Sequence, residues 1–168
     1  KKYVVALGCL FLMAMIGLSV KMFDERPQIN VAIESSNQPF SFEQQGKITG
    51  FDAELMEAIA GKIGVKIVYR PIALENMFEA IEKGYADVAV GSLSVTEDRK
   101  KLVSFTVPYI EDGGLSALVK GRKITTASEL AGLIVGVDGG STGELLAKGV
   151  DGAQVRPYLS NIDMARDF

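Results

Sequence analysis

The chain has 168 residues, 48% of them hydrophobic, with 18 lysines and arginines against 21 acidic residues and a net charge of −3. This length allows one ordinary domain or two small lobes, and without a basic excess a nucleic-acid partner is not expected. Histidine is absent, which removes histidine-based triads, histidine-ligated metal sites and histidine acid–base chemistry, and the single cysteine, Cys9, cannot form an internal disulfide.

The N-terminus carries an uncharged apolar run over residues 3–20, with two lysines before it and charged residues among 21–26 after it. Its length and flanking charges are typical of an export signal or a single membrane anchor. We therefore assign residues 1–26 to a signal peptide or membrane anchor. The rest of the chain is then expected outside the cytoplasm, in the periplasm or at the cell surface.

Strand and helix patterns alternate over residues 27–113, which we take as a first lobe. The predicted elements are a strand at 29–34, a hairpin within 39–51 that turns near Gly46, a helix at 51–64, a strand at 65–70, a helix at 75–84 and a strand at 87–95. In the first helix the expected N-cap is Asp52, the expected stop is Gly64, and the expected apolar face carries Phe51, Leu55, Ile59 and Ile63. This order of elements predicts a parallel sheet covered by helices on both faces.

Residues 91–101, GSLSVTEDRKK, bring hydroxyls and a guanidinium to a helix start. Ser92 and Ser94 alternate with apolar residues, so both hydroxyls would share one face of a strand. Thr96 is the expected N-cap, and Arg99 follows at about the third helical position, where a cation is mildly unfavourable. This placement suggests that Arg99 serves a ligand. The alternative is that it begins a basic run on a solvated face.

Residues 114–168 show a second strand–helix unit, which we take as a partial second lobe. Its predicted elements are a short helix near 126–132, a strand at 133–138, a helix from about Thr142 to Lys148, a strand at 153–158 and a last helix that begins at Ser160.

The second lobe contains a glycine-rich turn, VDGGSTGE, at residues 137–144. Ser141 and Glu144 have the spacing of a capping box, and backbone N–H groups at such a helix start attract anions. The stretch is neither a Walker loop nor a dinucleotide fingerprint, because it lacks Gly-Lys-Ser/Thr and has Asp138 in place of the second glycine. The alternative is an ordinary tight turn.

Each half of the chain thus has one anion-accepting helix start at the C-terminal end of a strand. Ligands of open α/β sheets bind at such ends. A small anionic group clamped between two lobes would explain both motifs.

Several longer stretches resemble the extracellular amino-acid-binding proteins of ABC transporters, the bilobed Venus flytrap proteins of the family 3 type. They are PFSF, GFDAEL, ALENMFEAIEKGYADVAVGSLSVTEDRKKLVSFTVPY, ELAGLIVGVDGGSTGE and SNIDMA, and they cover most of residues 29–168. The resemblance implies an α/β fold of two lobes, each a parallel-type sheet with helices on both faces. It also implies that the end of the second lobe and the return to the first are missing, so we expect an N-terminal fragment of a longer protein.

The resemblance further implies which residues contact an amino-acid ligand. The expected contacts to its α-carboxylate are Arg99, as a bidentate partner, Ser94, Thr142 and the backbone around Ser141; those to its α-ammonium lie at Gly91 and Ser92.

Relatives hold the side chain of the ligand between aromatic rings at positions where this chain has Asn37 and Leu74. Glu34 and Asp138 fall near positions that face that side chain. Two acids and a weak aromatic cage favour a polar or basic amino acid. The alternative is that both acids are solvated residues at strand ends.

The function that the resemblance implies is extracytoplasmic binding of an amino acid for uptake, with an ABC-transporter permease as partner and without a catalytic residue, cofactor or metal. Retention of the N-terminal segment would add a membrane contact. Two alternatives stay open: a ligand-sensing domain of a membrane signalling protein and, ranked last because no paired-carboxylate motif is seen, a periplasmic dehydratase or murein-cleaving enzyme. Likeness of fold cannot separate these classes.

Overall fold

The computed structural model describes residues 25–111, 119, 121 and 123–168. We call residues 25–111 the first unit and residues 123–168 the second unit. The first unit contains β1 (Gln28–Ile33), β2 (Ser36–Asn37), β3 (Ser41–Gln44), β4 (Lys47–Thr49), α1 (Phe51–Ile63), β5 (Lys66–Pro71), α2 (Leu74–Glu82), β6 (Val88–Val90) and α3 (Glu97–Lys100). The second unit contains a 3₁₀ turn (Ala127–Leu130), β7 (Ile134–Asp138), α4 (Thr142–Lys148), β8 (Gln154–Tyr158) and α5 (Asn161–Asp167).

Strand β1 is the centre of the first unit. It lies between β5 and β6 in a parallel sheet, and its residues Val31, Ala32 and Ile33 are completely buried. Alternate side chains point to opposite faces of a strand, so Val31 and Ile33 pack against Ala53 and Met56 of α1, whereas Ala32 packs against α2. The predicted parallel sheet with a helix on each face is confirmed.

Helix α1 follows the predicted hairpin of β3 and β4 and ends at Gly64 as predicted, but its N-cap differs. The cap is Gly50, at φ 111° and ψ 177°, and no side chain caps the helix. Such a backbone conformation is essentially restricted to glycine. The prediction of Asp52 as N-cap is therefore wrong: Asp52 lies in the first turn and is fully buried.

The buried face of α1 also differs from the predicted one. Of the expected face, Leu55 is half-buried and Phe51, Ile59 and Ile63 are 41–59% exposed. The buried apolar residues are instead Ala53, Met56 and Ala60. Two small alanines let the helix lie close to the sheet at interior packing density, which larger side chains would prevent. Side-chain size, and not hydrophobicity alone, decides which face packs.

Strand β6 is shorter than predicted and ends at Val90. Gly91, at φ 149°, and Ser92, at φ 54°, turn the chain out of the sheet. Ser92 and Ser94 therefore do not share one face of a strand, which corrects the prediction. The chain then reaches α3, where the predicted cap is confirmed: the Thr96 hydroxyl accepts a hydrogen bond from the backbone N–H of Arg99 at 3.2 Å.

The second unit is a parallel pair of strands, β7 and β8, flanked by helices. The predicted capping box of α4 is confirmed in its spacing. Ser141 Oγ accepts from the Glu144 backbone N–H at 3.1 Å, and Glu144 Oε2 accepts from the Gly140 backbone N–H at 2.7 Å. Ser160 caps α5 as predicted, and α5 contacts β2 of the first unit as well as β7 and β8.

The apolar run at 3–20 and the predicted lobe boundary at 113/114 lie outside the described residues. Among the residues that are described, no helix combines the length and the apolar character that crossing a membrane requires.

A pair of glycine substitutions tests the analysis of α1. In Gly50→Ala the new Cβ would lie 2.5 Å from the Phe40 carbonyl oxygen, and the backbone strain alone costs roughly 1–3 kcal/mol. At Gly61, inside the same helix, such a Cβ would meet no described atom within 4 Å apart from its chain neighbours and the helix's own backbone, so Gly61→Ala should stabilise by about 0.5–1 kcal/mol. Urea unfolding of both variants measures the two effects. Equal effects of the two substitutions would contradict the assigned cap.

Candidate functional site at the contact between the units

The guanidinium of Arg99 joins the two units. Its Nη1 donates to the carbonyl oxygen of Ser94 at 2.7 Å, and its Nη2 donates to the carbonyl oxygen of Gly140 at 2.8 Å. The ring of Phe78 lies against it, with Arg99 Cζ 4.9 Å from the ring centroid, a cation–π distance. Phe105 supports Phe78 in turn, at 6.5 Å between centroids. Arg99 is thus held by both units and an aromatic ring.

The two lysines that follow Arg99 behave differently. Lys100 pairs with Glu97 and Lys101 pairs with Asp98, all with exposed side chains on α3. Arg99 is half-buried, and burial lowers the pKa of its guanidinium, which nevertheless stays charged in proteins. The expected solvated basic face therefore describes the two lysines and not Arg99.

Arg99 keeps donors for a ligand. A guanidinium has five N–H donors in a planar fork, and the bonds to Ser94 and Gly140 use two of them. Within the part of the chain that the structure describes, the other three have no hydrogen-bond acceptor. The fork geometry suits a carboxylate.

The glycine-rich turn of the second unit packs closely against the start of α2. A Cβ on Gly140 would lie 2.6 Å from Glu75 Cα, and a Cβ on Gly139 would lie 2.9 Å from Glu75 Oε2. Gly140 also has φ 75°, where other residues are strained. Glycine at these positions is what lets the two units approach.

The acid with the most strongly shifted pKa at this contact is Asp138, the last residue of β7. Burial, followed by the negative charges of Glu34, Glu144 and Glu75, raises the pKa of Asp138 to about 7. Asp138 is therefore poised between its neutral and charged forms near neutral pH.

Within the described residues, no cluster of acidic, cysteine or histidine side chains has the arrangement of a metal site.

Glu34 and Glu144 differ in how their charges are supported. Glu34 follows β1 and is only 3% exposed; burial raises the pKa of its carboxyl, which the hydroxyl of Ser36, donating to Oε1 at 3.0 Å, partly offsets. Hydrogen bonds from Lys148 and from the Gly140 backbone lower the pKa of Glu144. Glu34 is thus not the solvated strand-end acid of the alternative interpretation.

A cleft of about 250 Å³ is lined in part by Glu34. Its lining comes from both units: Glu34, Ser35, Ser36, Pro71, Ile72 and Ala73 from the first, and Leu159 and Ser160 from the second. This volume is smaller than that of typical pockets for drug-sized ligands, which hold about 300–1,000 Å³, so only a small molecule such as an amino acid would fit. A larger cavity of about 340 Å³ lies between α1 and β5. We favour the smaller one because it lies between the units and contains a buried acid.

The structure distributes the remaining predicted site residues around the contact. Asn37 is half-buried on β2, opposite Ser41 of β3. Leu74 begins α2 and packs against the core around Met77. Thr142 begins α4, directly after the capping residue Ser141. Gly91 is buried and Ser92 is exposed at the turn after β6.

Four residues at or near the site are absent from the sequence-based set: Glu75, Phe78, Asp52 and Tyr109. Phe78 is four positions after Leu74 on α2, a spacing that places both on one side of the helix. This spacing is the sequence feature that could have identified Phe78 as a site residue. Asp52 had been interpreted as a cap. Nothing in the local pattern relates it to Tyr109, whose hydroxyl donates to Asp52 Oδ1 at 2.9 Å.

Comparison with known proteins identifies relatives over most of the chain. Residues 29–154 match the family model of the bacterial extracellular solute-binding proteins, family 3. A probable histidine-binding protein of Campylobacter jejuni is 34% identical over 137 residues, which are 81% of this chain. The L-cystine-binding protein TcyJ of Escherichia coli is 32% identical over 165 residues, or 90% of this chain.

A solved structure with the same fold is an ancestral arginine-binding protein bound to glutamine, with a TM-score of 0.76 and 34% identity over 84% of this chain. The predicted bilobed α/β fold is thereby confirmed. The chain spans 52% of the Campylobacter relative, 62% of the Escherichia relative and 64% of the ancestral protein.

The perturbed acid gives a prediction for stability. The pKa of Asp138 is about 7 in the folded protein against 3.8 for an unperturbed aspartate, so between these values the folded state holds a proton that the unfolded state has lost. Stability therefore falls as pH rises from about 4 to about 7, and the loss is complete above that range. Asp138→Asn should be nearly neutral at pH 4 and should raise the Tm at pH 8.

Thermal unfolding at several pH values measures this, with the exposed Asp151→Asn as the matched control, whose effect should not depend on pH in this way. A shift of the Tm for Asp138→Asn that is the same at pH 4 and pH 8 would contradict the assignment.

Proposed function

We propose that this chain, which belongs to family 3 of the bacterial extracellular solute-binding proteins, binds a free amino acid between its two units outside the cytoplasm. The observation that carries the proposal is the guanidinium of Arg99, held between the units with three N–H donors left for a ligand. The relatives support it, because they are described as binding proteins for histidine, cystine and arginine. None of these three is described as an enzyme, so we propose binding without catalysis.

The α-carboxylate of the ligand is the proposed partner of Arg99. Phe78 and the carbonyls of Ser94 and Gly140 already fix the position of the side chain, so little side-chain entropy is lost when the carboxylate binds. Ser94 and Thr142, with the backbone around Ser141, complete the proposed carboxylate site from the two units. Gly91 and Ser92 are the proposed acceptors for the α-ammonium.

A cationic or polar side chain is the proposed occupant of the acidic end of the cleft. Glu34 lines the cleft, and the negative charges of Glu34 and Glu75 act on Asp138 and are part of what raises its pKa. A cation beside them would relieve the repulsion between these charges. Asn37 and Leu74 offer no aromatic face for stacking, which disfavours a large aromatic ligand.

The biological role that we propose is delivery of the amino acid to an ABC-transporter permease from the periplasm or the cell surface. Genes for a permease and an ATPase beside the gene of this protein would support this role, whereas fusion to a kinase or cyclase would indicate a sensor. Both roles use the same binding site.

Substitution of Arg99 tests the binding site. In Arg99→Ala the ligand carboxylate would stay desolvated without its partner, which costs roughly 3–5 kcal/mol, or on the order of a hundred- to several-thousand-fold in affinity. Arg99→Lys should also bind weakly, because an ammonium cannot form the planar bidentate pair. Isothermal titration of the full-length protein with each of the twenty protein amino acids, and then of the variants, gives the affinities.

Lys101→Ala is the matched control, because Lys101 is the C-cap of the same short helix and pairs with exposed Asp98. This variant should bind the ligand like the parent. Affinity of Arg99→Ala within about threefold of the parent, well under 1 kcal/mol, would show that Arg99 does not hold the carboxylate.

The ligand class has its own pH signature. A cationic side chain favours ionised Asp138, so binding releases a proton when the pH is below about 7, and affinity for L-arginine should rise by about tenfold or more from pH 5.5 to pH 8. Affinity for L-glutamine, which has a neutral side chain, should rise much less. Asp138→Asn should flatten the L-arginine profile. Tightest binding of leucine or phenylalanine would refute the proposed ligand class.

A further inference from the structure

The turn at Gly91 and Ser92 is held in a conformation that its own sequence does not favour. Ser92 has φ 54° although it is not glycine. This conformation costs roughly 1–3 kcal/mol and persists only where the surrounding structure imposes it. This turn leads the chain from the buried strand β6 to Ser94, whose carbonyl binds Arg99. Its geometry therefore affects the proposed ligand contacts from Gly91 to Arg99.

A side chain from a distant part of the sequence holds this turn. The hydroxyl of Tyr109 accepts a hydrogen bond from the backbone N–H of Ser92 at 3.3 Å and donates one to Asp52 Oδ1 at 2.9 Å. The ring of Tyr109 stacks on Phe51, with 6.1 Å between centroids and 27° between the planes. The chain of contacts runs from α1 through Tyr109 to the turn.

The buried end of this chain of contacts, at Asp52, decides which groups donate and which accept its hydrogen bonds. Burial and the neighbouring Asp52 raise the pKa of Tyr109 to about 12, so the phenol stays protonated. Its O–H donates a hydrogen bond to the carboxylate of Asp52. Its oxygen lone pairs are then available to the Ser92 N–H. The arrangement supplies an acceptor at one defined place.

Asp52 is costly for folding. It is completely buried, burial raises the pKa of its carboxyl, and its Oδ2 has no hydrogen-bond partner among the residues that the structure describes. A buried carboxylate with one unsatisfied oxygen destabilises a fold relative to an apolar residue of similar size. Stability alone therefore does not explain why the position holds an aspartate.

We propose that Asp52 and Tyr109 are positioning residues for the ligand site: they hold the turn at Ser92 in its left-handed conformation and so align the ligand contacts from Gly91 to Arg99. This inference rests on the proposed function. The two residues act through the Ser92 backbone and do not touch the ligand. Their effect should therefore appear in affinity, separately from stability.

A double-mutant cycle of Tyr109→Phe, Asp52→Ala and their combination separates the two effects. Tyr109→Phe removes the acceptor of the Ser92 N–H and also leaves Asp52 without its partner, so it should weaken amino-acid binding by roughly tenfold and lower the Tm. Asp52→Ala combined with Tyr109→Phe removes the unpaired carboxylate as well. The double variant should recover most of the lost Tm, but its affinity should stay roughly tenfold below that of the parent. A merely structural role predicts that affinity recovers together with the Tm.

Two further variants sharpen the result. Asp52→Asn keeps an acceptor for the Tyr109 hydroxyl and should bind more tightly than Tyr109→Phe. Tyr85→Phe removes a hydroxyl from a tyrosine that is 68% exposed, and it should bind like the parent. Each protein is titrated with the twenty protein L-amino acids at a temperature at which its melting curve shows it to be folded.

Two negative results have different meanings. If the parent binds none of the twenty amino acids, the proposed function is wrong. If the parent binds one of them and the double variant binds it within threefold, the proposed function stands and Asp52 and Tyr109 are not positioning residues.

Discussion

The hydrogen bonds of Arg99 to Ser94 in the first unit and to Gly140 in the second are the interaction on which the arrangement of the site depends. A guanidinium can bridge two carbonyls only if both are held within reach of its fork. On one side, the Thr96 cap fixes the start of α3, and with it the backbone from which Arg99 projects. On the other side, the absence of side chains at Gly139 and Gly140 lets the turn of the second unit lie against α2.

Charge at this contact is separated and not neutralised in pairs. Arg99 is bound through carbonyl oxygens. The charges of Glu34 and Glu75 make the electrostatic potential at Asp138 more negative. Burial makes each of these charges more costly than it would be at the surface. A zwitterionic ligand with a polar or cationic side chain would present a negative group to Arg99 and a complementary group to the acids. The charges of Arg99 and of the acids thus suit the charges of the proposed ligand.

The first unit also connects distant segments to this site. Asp52 in the first turn of α1 and Tyr109 near the end of the unit meet over the turn at Ser92. Neither residue contributes to the main apolar clusters around β1. Their contacts join the helix, the turn after β6 and the segment that contains Tyr109.

The sequence by itself determined those features that depend on neighbouring residues: the parallel order of strands and helices, the hairpin near Gly46, the end of α1 at Gly64, and the caps at Thr96, Ser141 and Ser160. Each depends on local backbone preference or on a side chain that bonds within three residues. Arg99, Glu34 and Asp138 were selected by motif and resemblance, and the structure places all three at the contact between the units.

Only the tertiary structure decided which face of α1 is buried, where β6 ends and what Asp52 binds. The contact of Asp52 with Tyr109 spans 57 positions, and that of Arg99 with Gly140 spans 41. Local preference carries no information about such contacts, because they exist only after the sheet and helices have packed. Packing also overrules the local signals, since small alanines of α1 come closer to the sheet than isoleucines do, and Ser92 adopts a backbone conformation that its own residue type disfavours.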